Sequence, residues 1–115
     1  GGAALTIPAK VTQEKLKAIS EGKGGSTIKV RSGGAGGQMT DSDFSKLCDA
    51  IEKGGKVTGL DMDSAMHASA TMMVRTVALL QRCSWIEMLD LQSCSLGDDV
   101  ALILASFLKK SSLAQ

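Results

Sequence analysis

The sequence has one histidine, His67, and three thiols, Cys48, Cys83 and Cys94, as side chains whose ordinary pKa values lie nearest neutral pH. A lone histidine removes most metal and acid–base constellations. No two cysteines form a CxxC pair, so zinc and thioredoxin-type redox chemistry have no motif here. Asp61, Asp63, Ser64 and Ser69 lie near His67 in the chain. A Ser–His–Asp arrangement also needs a nucleophile held beside oxyanion donors, and no nucleophile elbow is present. His67 therefore reads as a loop or partly buried residue. Cys94 has no predicted basic neighbour to lower its pKa. The glycine-rich stretch Ser32–Gly37 invites comparison with a phosphate-binding loop. That loop needs a Lys directly after its last Gly, whereas Gln38, Met39 and Thr40 follow Gly37. GxGxxG is not satisfied either, so the stretch reads as a flexible insertion. Gly22 to Thr27 has a suitable composition in the wrong order and reads as a linker. No catalytic, metal-binding or cofactor-binding residue is expected, and a small thiol- or histidine-dependent enzyme ranks last of three readings.

What remains is a globular chain whose work must lie on its surface. The sequence has 115 residues, 43% hydrophobic and 22% charged, which suits one domain with one core. A net charge of +1 and 3% aromatics with no Tyr give no reason to expect nucleic acid. No apolar run approaches the roughly 18 residues that a membrane helix needs. Three widely spaced cysteines are not a disulfide framework and fit a reducing, intracellular compartment, cytoplasmic before organellar. Gly1 to Leu5 shows no basic segment leading into an apolar one, so no signal peptide is expected. Residues 1–56 carry nine Lys/Arg against six Asp/Glu, and residues 57–115 four against six. This asymmetry reads as solvated faces.

The elements repeat. Val57-Thr58-Gly59-Leu60-Asp61-Met62 aligns with Ile86-Glu87-Met88-Leu89-Asp90-Leu91, position 57 answering to position 86. Both run apolar-x-x-Leu-Asp-apolar and end in the alternation of a half-buried strand. Phe44, Leu47, Cys48 and Ile51 have helical spacing, as do Val100, Ala101, Leu104 and Leu108. Between them, Met72, Met73, Val77 and Leu80 mark a third helical face, with Thr76 where the others carry Leu. Thr40-Asp41-Ser42-Asp43 and Gly97-Asp98-Asp99 are helix starts, and Lys53-Gly54-Gly55 is a helix end. Thr27 to Arg31 alternates as a strand. Its Ile28 and Val30 match Leu60 and Met62 at a slightly longer interval, because the glycine loop adds length. Leu5-Thr6-Ile7 predicts a first strand, held to an edge or an end by Pro8, and residues 11–20 a first helix. Strands are expected near 27–31, 57–62 and 86–91, and helices near 40–53, 69–82 and 97–110.

Leu89-Asp90-Leu91-Gln92-Ser93-Cys94-Ser95-Leu96, with Ile86 before it, resembles a leucine-rich repeat of the ribonuclease-inhibitor-like class. Ile86, Leu89, Leu91, Cys94 and Leu96 occupy the five signature places. Val57, Leu60 and Met62 fill the same frame, with Ala65 at the Asn/Cys place, and Gly33 takes that place after Ile28 and Val30. The resemblance implies an α/β solenoid of about 3.5–4 βα units, with a parallel sheet on its concave face and helices on its convex face. It spans residues 25–115, with 1–24 as a divergent N-terminal cap. Lys109 to Leu113 is similar to the lead-in of a further repeat, which leaves two expectations open: a ragged cap at this point, or a longer array or complex to which the chain belongs. A rival resemblance is to the STAS domain of anti-sigma-factor antagonists, carried by Leu60-Asp61-Met62-Asp63-Ser64 and Ser69-Ala70-Thr71. It implies a regulatory binding domain switched by phosphorylation at Ser64 or Ser69. The self-similarity of the two strand segments favours the repeat.

In a βα array Leu60, Met62, Leu89 and Leu91 point toward the helices, and the alternate residues point away. Lys29, Asp61 and Asp90 should then form one row across the strands, and Arg31, Asp63 and Gln92 another. Met62, Met66, Met72 and Met73 read mostly as core, whereas Met88 falls on the outward side. Trp85, at a helix-to-strand corner, covers the core edge or anchors an interface. The expected function is a non-catalytic protein-interaction or scaffold module. Its expected surface comprises Lys29, Arg31, Asp61, Asp63, Met88, Asp90 and Gln92, with a basic partner group opposite Asp61 and Asp90.

Overall fold

The computed structural model describes residues 4–32, 37–62, 65 and 69–91. Within them the chain alternates β1 (Ala4–Pro8), α1 (Gln13–Ser20), β2 (Thr27–Arg31), α2 (Asp41–Gly54), β3 (Gly59–Asp61), α3 (Ala70–Arg82) and β4 (Met88–Asp90). The fold is α/β, with a four-stranded parallel sheet in the order β1-β2-β3-β4. Every strand lies beside its neighbours in sequence. Parallel neighbours require crossovers, and crossovers of one hand put successive helices on the same side of the sheet. Accordingly α1 packs on α2 and α2 on α3.

The expected strands at 57–62 and 86–91 shorten to three residues each, while single hydrogen bonds continue the pairing beyond them. Thr58 and Gly59 N–H donate to Ser26 O, Met88 N–H to Thr58 O, and Met62 N–H to Asp90 O at 2.8 Å. Pro8 ends β1 on the sheet's edge, where its missing N–H breaks no ladder bond. The helix expected over 97–110 lies outside the described residues, as do Asp63, Ser64, Met66, His67, Gln92 and Cys94.

Strand alternation builds the core. Leu5, Ile28, Leu60 and Leu89 stand in register on the helix side. Ile7, Val30 and Met62 continue that side and are buried, joined by Ile19 from α1 and by Phe44, Leu47 and Ile51 from α2. On α3 the buried set is Met72, Met73, Thr76, Leu79 and Leu80. Thr76 is fully buried where the neighbouring frame carries Leu47, whereas Val77, assigned to the apolar face from spacing, is only half-buried. The Thr76 hydroxyl donates to Met72 O at 2.8 Å, so the hydroxyl costs little in a dry position.

Each helix opens on a hydroxyl cap. Thr12, Thr40 and Ser69 accept from the backbone N–H of Lys15, Asp43 and Met72. Positions 12, 40 and 69 follow one another at nearly equal intervals, more regular than those of the strands. The first turn of α2 also ties both neighbours at this end of the sheet. Asp43 Oδ2 accepts from Val11 N–H at 3.3 Å, and Asp41 Oδ1 accepts from the Ser69 hydroxyl at 3.1 Å.

At the opposite end, α2 meets α1 backbone to backbone. A Cβ on Gly54 would overlap the Ile19 carbonyl oxygen. Gly55 then takes φ +67° and donates to Ile51 O, the left-handed C-cap that the Lys53-Gly54-Gly55 pattern implies. Between α2 and α3, Arg75 Nη2 donates to Asp49 Oδ1 at 2.7 Å and to Glu52, and Arg82 donates to Glu52 at 3.2 Å. Burial works against the Arg75 charge, but hydrogen bonds to Glu52 and Asp49 outweigh it and raise its pKa.

Gly54→Ala is expected to destabilise the fold by about 1–3 kcal/mol, because the Ile19 carbonyl belongs to the backbone and cannot rotate away. Gly55→Ala, where a Cβ meets open space, should cost about 1 kcal/mol from its positive φ alone. Urea denaturation of the two variants checks the order.

Candidate functional site

The sheet face turned away from the helices carries two outward rows. Ladder register sets Ala4, Thr27, Gly59 and Met88 side by side, and next to them Thr6, Lys29, Asp61 and Asp90. The row expected for Lys29, Asp61 and Asp90 is thus the register of three strands. Neighbouring strands lie about 4.8 Å apart, so Asp61 and Asp90 are close like charges. Arg31, at the end of β2, answers part of that repulsion: its Nη2 lies 3.6 Å from Asp61 Oδ2. Sequence reasoning aligned Arg31 with Asp63 and Gln92, which lie outside the described residues, and missed its reach to Asp61. The side chains are 44% and 16% exposed, so the pair contributes at most about 1 kcal/mol. Charge is therefore sorted across the face, with cations on β2 and anions on β3 and β4.

Met88 adds an apolar element. It is half-buried on the outward side, and its Cε lies where a Cβ on Gly59 would stand 3.0 Å away. That Cβ would also stand 3.2 Å from Thr27 Oγ1. Met88 therefore lies across the space left by the glycine, beside the charged row. The readable signal was a glycine at an outward strand place between Thr27 and Met88. Trp85 is half-buried against the core rather than standing clear of it.

The groups suited to covalent chemistry are placed differently. Cys48 and Cys83 are buried free thiols, on α2 and at the C-cap of α3. Burial pushes the Cys48 thiol up to about 12, against the pull of the Arg75 cation. Burial also raises Cys83, with Glu52 adding to it. Neither supplies thiolate near neutral pH. Among the described residues, no three His, Cys, Asp or Glu side chains cluster to hold a metal ion. No helix of the described residues is long and apolar enough to cross a membrane. Ser69 is occupied in holding the fold, since its Oγ accepts from Met72 N–H and donates to Asp41.

The Cys48 environment has a consequence for pH. In the unfolded chain the thiol ionises near 9, and in the fold near 12. Stability from keeping it protonated is complete below about pH 9 and is lost as pH rises through that window. Between pH 9 and 12, the wild-type chain should lose about 1.4 kcal/mol more per pH unit than Cys48→Ala, as measured by denaturation at stepped pH.

Comparison of the chain with models of protein families, with curated proteins and with solved structures finds no match.

Proposed function

We propose that this chain is a non-catalytic protein-interaction module of the βα-repeat kind, which binds a protein partner on the sheet face turned away from the described helices. One observation carries this reading. Parallel sheets are ordinarily covered on both faces. Here the described helices pack along one side, and the other bears Lys29, Arg31, Asp61 and Asp90 around the Met88–Gly59 patch. A parallel sheet with sequential strands and helices along one side is the arrangement through which repeat solenoids present extended binding surfaces. The near-constant spacing of the caps Thr12, Thr40 and Ser69 supports the repeat as well. The partner's complementary groups are a basic side chain toward Asp61 and Asp90 and an apolar one over Met88. Charged groups of this kind chiefly govern partner choice and association rate.

Two observations weigh against a STAS-like phosphorylation switch. The strand order is strictly sequential. Ser69 is held as the cap of α3, with its proton on Asp41, so a phosphate there would face a carboxylate. Ser64 lies outside the described residues.

Affinity capture from native lysate should separate the readings. Wild-type bait is compared with Asp61→Lys/Asp90→Lys and with Ser64→Asp/Ser69→Asp, after denaturation curves establish that each variant folds. A partner lost only with the strand-face reversal is expected. A partner lost only with the serine variant would move the switch ahead. Retention by both would remove the strand face as the working surface.

A further inference from the structure

On the opposite side of the molecule, α1 and α2 leave an open groove of about 640 Å³ between them. Leu16 and Ala50 are the apolar residues of its lining, and Lys17, Lys46 and Lys53 stand along it. All three lysines are exposed, and among the described residues none enters an ion pair. The groove has two acids against these three lysines, and one of the two is engaged elsewhere. Asp49 accepts from Arg75 on α3, and Glu14 is exposed in the first turn of α1, at the other end of that helix from Lys17.

From this charge imbalance over an apolar lining, we infer that the α1–α2 groove binds an acidic segment of a partner protein, which sets an apolar side chain against Leu16 and Ala50. Phosphate fits the place less well. Compact phosphate sites draw on helix N-termini and their free N–H groups. Lys17 and Lys53 lie instead in the last turns of their helices, where carbonyl oxygens face an incoming anion. Long lysine side chains reach beyond those carbonyls to carboxylates spread along a peptide. The groove runs for the eight residues of α1, about 12 Å, which an extended stretch of about four residues would span. This surface is separate from the sheet face, so one can fail without the other.

The test uses the whole chain, isotopically labelled, titrated with a synthetic peptide of leucines flanked by glutamates and followed by nuclear magnetic resonance. The counterpart peptide carries lysine for each glutamate. The acidic peptide should shift the amides of Leu16, Lys17, Lys46 and Ala50, and the lysine peptide should not. Lys17→Gln/Lys46→Gln/Lys53→Gln, which keeps good helix formers in place, should weaken binding about tenfold or more, as should raising salt to about 0.5 M. Asp61→Lys/Asp90→Lys should bind the peptide unchanged. Equal binding of both peptides, full affinity in the triple Gln variant, or displacement by inorganic phosphate at the peptide's own concentration would each overturn the inference.

Discussion

Strand register is the constraint on which the rest of this molecule depends. Successive side chains of a strand alternate between faces, so a slip of one residue would exchange whole rows. In the register adopted, Leu5, Ile28, Leu60 and Leu89 line the helix side, and Thr6, Lys29, Asp61 and Asp90 line the other. A slipped β3 would carry Asp61 into the core and expose Leu60. The desolvation cost of one unpaired carboxylate outweighs the few hydrogen bonds of a three-residue strand. The same alternation that keeps the core dry therefore fixes the spacing of charges on the face turned away from the described helices.

The helix layer is organised around α2. At one end its first-turn acids Asp41 and Asp43 accept from Ser69 and Val11. At the other, Gly54 admits the Ile19 carbonyl, while Asp49 and Glu52 hold Arg75. These contacts differ in kind. The polar ties are partly exposed and individually weak, whereas the backbone approach at Gly54 leaves no room for a side chain. Distance between α1 and α2 is thus set by the glycine and orientation by the carboxylates. That distance also defines the groove in which the unpaired lysines stand.

Much of this was legible in the chain. The echo of Val57–Met62 in Ile86–Leu91, the Thr-Asp-Ser-Asp start and the Lys-Gly-Gly stop are local signals, and the elements follow them closely. The row of Lys29, Asp61 and Asp90 was readable because in-register parallel pairing follows from the repeat. Long-range side-chain choices were not. Nothing local marks that Arg75 reaches Asp49 and Glu52 on another helix, or that Arg31 turns to Asp61. Thr76 looked like a break in an apolar face because the bond from its hydroxyl to Met72 O, one turn back, cannot be read from residue type. Gly54 read as part of a stop signal, and its contact with Ile19 depends on how two helices pack.

Sequential pairing also bears on how the chain reaches this state. Thr27 pairs with Ala4 before it and Gly59 after it, and Gly59 in turn with Met88, so among the described residues each strand pairs with the strands adjacent to it in sequence. The entropy of loop closure grows only slowly with length, and each pairing here closes one βα loop of similar size. None of the four described strands must wait for a distant one to arrive, as central strands do in sheets with rearranged order. Once one adjacent pair of the described strands has formed, its edge is the template for the next strand along the chain.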